Sequence, residues 1–254
     1  MKNIKALLKL DINLIKPYWM WLVLFFGIAI ISSALFGGGL GFVVSWAIFA
    51  ATILAFPFEN VEKSNMEMLY ATLPTNRKSM IFSRYLFATI FLVITIAIGL
   101  AIAPLIDLIQ GAVASYTYYE GPSSQHNYNP FYGQMLFAMA GLAFALFCVT
   151  VGLQTPFFYK FGYKKGRIFM WLPIIVVMLI TLLPQVIYWI SDGAIQFNIF
   201  NTLIGVPSFD AEGIMINDGS TARLITSLVS VVVGALALVG SFFLSRAMYL
   251  KKDI

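Results

Sequence analysis

Long uncharged apolar runs constrain this chain more than any other feature. Tyr85 to Ile109 carries one ionisable group other than its terminal tyrosine, Asp107, and the stretch FVVSWAIFAATILAF (42–56) carries none. About 20 consecutive apolar residues are enough for a helix to cross a bilayer, where every backbone N–H and C=O must be paired within the segment. The runs are continuous rather than alternating, which excludes a β-barrel. With 60% hydrophobic and 11% charged residues, the chain of 254 residues has too little polar surface for a soluble domain.

Six spans are expected: Tyr18–Phe36, Gly41–Phe56, Tyr85–Ile109, Gln134–Tyr159, Ile168–Ile190 and Ala222–Arg246. Every basic residue except Arg223 falls in the N-terminal segment, the loops after spans two and four, or the C-terminal tail. Positive charge stays on the cytoplasmic side. The expected architecture is therefore an all-α integral membrane protein, a single multi-pass domain over 1–254 of the cell membrane, with both termini cytoplasmic. The net charge of +5 reports topology and attraction to anionic lipid rather than nucleic acid.

Residues 2–16, KNIKALLKLDINLIK, have helical periodicity. Ile4, Leu7, Leu8, Ile12, Leu14 and Ile15 share one face and the lysines the other, as expected of an interfacial helix. Asp11 breaks the pattern by projecting among the apolar residues. A carboxylate against lipid is costly, so Asp11 either lies shallow and wet or marks a place where this face meets protein.

The stretch ENVEKSNMEMLYATLPTNRKSMIFSRYL (59–86) interrupts two apolar runs with three glutamates, two lysines and two arginines. Pro74 disfavours helix at Leu73, so one helix should end there, and Thr75 or Asn76 can cap the next. The mixed charge is unlike a lipid-docking loop, which would be mainly basic. We read 59–73 as a short amphipathic helix that passes force from another protein into span three.

Polar groups within the spans are few. Asp107 follows Pro104, Gln154 precedes Thr155-Pro156, and Gln185 follows Pro184. These three are candidates for a substrate cavity, and the prolines are expected to kink their helices. Ser230, Gly234, Ala237, Ser241 and Ser245 line one face of span six, and Ala138, Gly141 and Ala145 one face of span four; such faces allow close approach, within one subunit or against a second. The run Gly37-Gly38-Gly39-Leu40-Gly41 is expected to be a tight turn. Residues 191–221 form an outer loop whose apolar first part is expected to dip into the leaflet as a re-entrant segment.

No residues point to catalysis, to a metal or to a bound cofactor. There is no G-x-x-x-x-G-K-[ST], no G-x-S-x-G and no H-E-x-x-H, and the single histidine and single cysteine lack partners in spacing. A chain of this kind neither powers itself with ATP nor carries evident enzyme chemistry.

The segment YATLPTNRKSMIFSRYL resembles a pattern of ABC-2-type transporter permeases, matched by Leu73, Pro74, Arg77, Lys78, Arg84, Tyr85 and Leu86. The six spans, amphipathic N-terminal helix and basic tail extend the resemblance over the whole chain. It implies a coupling helix over 59–73 that docks on a separate ATP-binding subunit. It also implies two such ATPase subunits, which hold ATP and magnesium, and a second permease subunit, identical or not. The expected partner contacts are Asp11, Asn60, Glu62, Glu67, Met68, Leu69, Leu73, Pro74 and Arg77. The small form is similar to peptide-exporting subunits of Gram-positive bacteria, among them the staphylococcal exporters of phenol-soluble modulins. That implies export of an amphipathic or hydrophobic substrate, a peptide first among the candidates; related permeases give bacteriocin self-immunity, and an apolar cavity would also suit a lipid or drug. The competing classes are a secondary transporter or channel, for which no internal repeat is visible between 1–110 and 134–254, and a non-transport immunity or scaffold protein, which would need no coupling segment.

Overall fold

A buried central helix organises the bundle. The computed structural model of the chain describes residues 2–35, 38–63, 77–117, 132–166, 168–169, 171–176, 179, 190, 208–209, 215–217 and 219–250. Helix α1 (Lys2–Ile15) leads through a 3-10 turn (Lys16–Tyr18) into α2 (Trp19–Leu35). Then come α3 (Gly38–Ile53), α4 (Phe56–Lys63), α5 (Arg77–Thr117), α6 (Tyr132–Gly166), strands β1 (Ser208–Phe209) and β2 (Met215–Asn217), and α7 (Ser220–Leu250). Among the described residues, five helical runs are long and apolar enough to cross a membrane: Ile4–Ser33, Gly38–Lys63, Ser79–Gln110, Tyr132–Gly166 and Ser220–Tyr249. Most of the expected span 168–190 lies outside the described residues, as does 191–207.

Helix α3 is covered by α2, α5 and α6. Phe42, Ala50, Ala51 and Ile53 are fully buried, and Ala29 of α2, Ala103 of α5 and Phe147 of α6 close around them. Phe42 and Trp46 lie parallel while Phe26 meets both edge-on. Trp46 Nε1 donates to Thr95 O at 3.2 Å, the partner a buried indole needs. Helix–helix burial in lipid gains little from the hydrophobic effect, so close van der Waals contact carries it. The small faces of spans four and six meet each other within this chain. A Cβ on Gly141 would lie 3.1 Å from Ser227 Cα, and one on Gly152 would lie 3.2 Å from Ala237 O. The outward faces, such as Val93, Leu108, Val232 and Leu236, are exposed and apolar, as suits lipid.

One expectation is corrected. The glycine run is not a turn followed by a helix at Gly41: α3 begins at Gly38, whose φ is +70°. Pro104 and Pro156 stand inside α5 and α6, and the non-helical residue within α6 is Gly162, with φ 74° and ψ 173°. The buried stripe of α1 is Leu7, Asp11 and Leu14, with Ile12 exposed; that face meets Val61 and Met80, the protein-facing alternative for Asp11. A short pair of strands, β1 antiparallel to β2 with Ser208 opposite Asn217, accompanies the helical bundle. Helix α5 starts at Arg77, directly after the expected cap positions Thr75 and Asn76, and extends past its apolar window 85–109 to Thr117.

Candidate coupling site

The basic segments converge at one end of the bundle, where α1, α4, the start of α5 and the end of α6 meet. Helix α4 begins after a turn at Leu54-Ala55, with Phe56 and Pro57 buried. Proline near a helix start gives up an N–H that has no partner there anyway. The first turn of α4 thus sits on the bundle, and its far end leads toward residue 64.

Three contacts fix α4. First, Asn60 Nδ2 donates to Leu14 O at 2.8 Å, and Asn60 Oδ1 accepts from Tyr18 Oη at 2.9 Å. Leu14 O is one of the orphan carbonyls at the end of α1, so one side chain caps α1 and pins the following turn. Tyr18 stacks on Phe56, with ring centroids 4.5 Å apart. Second, Glu62 Oε2 accepts from the backbone N–H groups of Tyr163 and Lys164, the latter at 3.2 Å. These are the first donors after the break at Gly162, where a carboxylate is favoured by unpaired N–H groups. Gly162 suits this approach: its φ is positive, and a Cβ there would lie 3.2 Å from Glu62 Oε2. Third, Arg84 Cζ lies 4.1 Å above the ring of Phe58, a cation–π contact.

Arg84 also faces Asp11, Nε to Oδ1 at 3.9 Å, and both side chains are largely buried. The next residue, Tyr85, turns the other way. Its hydroxyl lies 2.5 Å from Ser241 Oγ and 2.8 Å from Ser245 Oγ of α7. The base of α5 therefore holds α1 and α4 with one residue and α7 with the next. A cavity of about 20 Å³, room for about one water, lies between Asp11, Pro57, Phe58 and Arg84.

The expected contacts separate into groups. Asp11, Asn60 and Glu62 come together here, each turned to a partner inside the chain. Glu67, Met68, Leu69, Leu73 and Pro74 lie outside the described residues; Arg77 opens α5. Of the expected cavity set, two residues lie among those described. Gln154 is buried on α6, Gln185 lies outside the described residues, and Asp107 is at the opposite end. There its carboxylate accepts from Gly39 N at 2.6 Å and from Tyr132 Oη at 2.5 Å, capping α3. Arg84, Tyr85 and Phe58 were missed as site residues. The first two carried a signal, as part of the segment before span three; Phe58 carried none.

Replacing Glu62 by alanine should free the turn after Gly162. Loss of a helix-start cap costs about 1–2 kcal/mol. The expected outcome is faster tryptic cleavage at Lys164-Lys165 in detergent, with the remaining helices protected.

Residues 6–249 match the sequence profile described as "ABC-2 family transporter protein". The chain belongs to the ABC-2 transporter family. No curated protein matches it, nor does any solved structure. As an ABC-2 member, it is a multi-pass membrane subunit, the permease of an ABC transporter, and such subunits typically work with a separate ATP-binding subunit. The junction of α1, α4, α5 and α6 is thus a feature of the permease's basic end.

Proposed function

We propose that this ABC-2 permease exports an amphipathic peptide across the cell membrane, driven by two copies of an ATP-binding subunit that press on residues 59–73. The observation that carries the reading is the clamping of α4. Its polar and aromatic side chains are tied to α1, α5 and α6 at once, so a displacement of the segment it opens would be passed on to three elements rather than absorbed. On this reading Asn60, Glu62 and Asp11 hold the lever, while Glu67, Met68, Leu69 and Leu73 touch the ATPase. Pro74 and Arg77 set the turn into α5. Two permease subunits form the path, and the scarcity of charge within the spans favours an amphipathic or hydrophobic cargo over a charged one, as in the staphylococcal exporters of phenol-soluble modulins. The N-terminal helix and both termini face the cytoplasm.

Glu67→Lys and Met68→Asp are expected to leave the protein inserted and folded while export falls by an order of magnitude or more. The size follows from burying an unpaired charge in an interface, about 2–5 kcal/mol. ATP-driven uptake of an amphipathic helical peptide into inverted vesicles checks it. Normal rates in both variants would remove 59–73 from the coupling path.

A further inference from the structure

The reversal that ends α6 forms a basic tip. The helix breaks at Gly162, and the chain then folds back on α6. A Cβ on Gly166 would lie 2.6 Å from Phe158 Cδ1, and Phe169 stacks on Phe157 with ring centroids 3.8 Å apart. Glu62 of α4 holds the turn through the N–H groups of Tyr163 and Lys164. The backbone of the tip is thus fixed by α4 and by α6 itself, while Lys160, Lys164 and Lys165 are exposed. Lys160 Nζ lies 5.0 Å from the centroid of the Phe161 ring. None of the three lysines pairs with a carboxylate among the described residues.

The surroundings of the tip select its ligand. No acidic residue lies between Glu120 and Asp192, so the charge here is of one sign, unlike the mixed charge of 59–86. A segment that docks on anionic lipid is mainly basic. Phe161, Ile168 and Trp171 beside the lysines are exposed, and the exposed apolar strip continues through Ile175 and Leu179. Lysines at the end of such a strip reach the headgroups while the rings stay at the acyl boundary. We propose that this tip binds an anionic phospholipid of the leaflet at the basic end, its phosphate met by the lysine ammonium groups and its acyl chains lying along Phe161, Ile168 and Trp171. Charge complementarity selects an anionic head, and the apolar strip selects lipid over an acidic protein surface. The inference rests on the membrane character of the family and not on the coupling role of 59–73.

Native mass spectrometry of the full chain, released from nanodiscs of equal phosphatidylglycerol and phosphatidylcholine, tests this. The wild type should retain phosphatidylglycerol in preference to phosphatidylcholine. Lys164→Gln/Lys165→Gln should lower that retention about tenfold or more, since each basic residue at an anionic surface adds to the attraction. Lys164→Arg/Lys165→Arg should preserve it. So should Lys5→Gln/Lys9→Gln, which removes the same charge from exposed positions of α1. Unchanged retention in the glutamine pair at the tip would overturn the proposal. An equal fall in the α1 pair would overturn it as well, because net charge rather than a site would then set the binding. So would release of the lipid by inorganic phosphate at constant ionic strength, which would mark a free-anion site, or an acidic protein retained in place of lipid, which would mark a protein contact.

Discussion

Arg84→Met should destabilise the protein by about 3 kcal/mol, because removing one partner of a buried ion pair leaves the other charge uncompensated. The stranded group is Asp11, 5% exposed and packed between Leu7 and Leu14. The pair has a single contact at 3.9 Å, so the value belongs at the lower end of the range for such losses. Asp11→Leu/Arg84→Met together should recover most of the loss, since replacing both charges by apolar groups is often neutral. Thermal unfolding of the four proteins in one detergent gives the cycle. Transport should not recover with stability. In the double variant α1 remains packed through Leu7, Leu14, Val61 and Met80, but the arginine no longer joins α1 to Phe58 of α4. A double variant as unstable as Arg84→Met would show that loss of the arginine does not strand Asp11.

Gly39→Ala should be as damaging at the other end. A Cβ there would lie 2.1 Å from Ala103 O and 2.6 Å from Asp107 Oδ2. The first obstacle is backbone, so α3 must move away from α5. Overpacking costs about 1–3 kcal/mol, and the shift also loosens the Asp107 cap on Gly39 N, worth about 1 kcal/mol more. Gly27→Ala is the control, since a Cβ there meets nothing within 4 Å; it should stabilise α2 by up to about 1 kcal/mol through helix propensity. Melting temperatures of the two variants, falling for one and holding or rising for the other, check the pair.

Apolar windows and the placement of basic residues made the membrane class legible from sequence, and Asp11 announced itself as a misfit in its own helix. What was not legible depends on partners distant in the chain. The glycines at 38–41 look like a turn because nothing nearby shows that Asp107, far along the sequence, supplies the cap that starts a helix there. Hydropathy marks where a helix is apolar, not where it ends, so α5 and α6 were drawn short. Pro57 is a helix-start residue, yet α4 was placed later because the charge run begins at Glu59. The non-helical residue within α6 is Gly162, where a carboxylate from another helix meets the chain, and nothing local in the sequence marks it. Asn60 and Glu62 were picked for their position in a charged segment; their inward bonds to Leu14 and to the Tyr163-Lys164 turn follow from tertiary packing alone.

The central claim is that residues 59–73 are the lever of a separate ATP-binding subunit. Purification of the full chain from its native membrane in mild detergent, followed by mass spectrometry of what stays bound, tests it most directly. The account predicts a stoichiometric partner carrying a G-x-x-x-x-G-K-[ST] loop, retained by wild type and lost from Met68→Asp. A chain that comes down alone, or a P-loop partner that Met68→Asp holds as tightly as wild type, would contradict it.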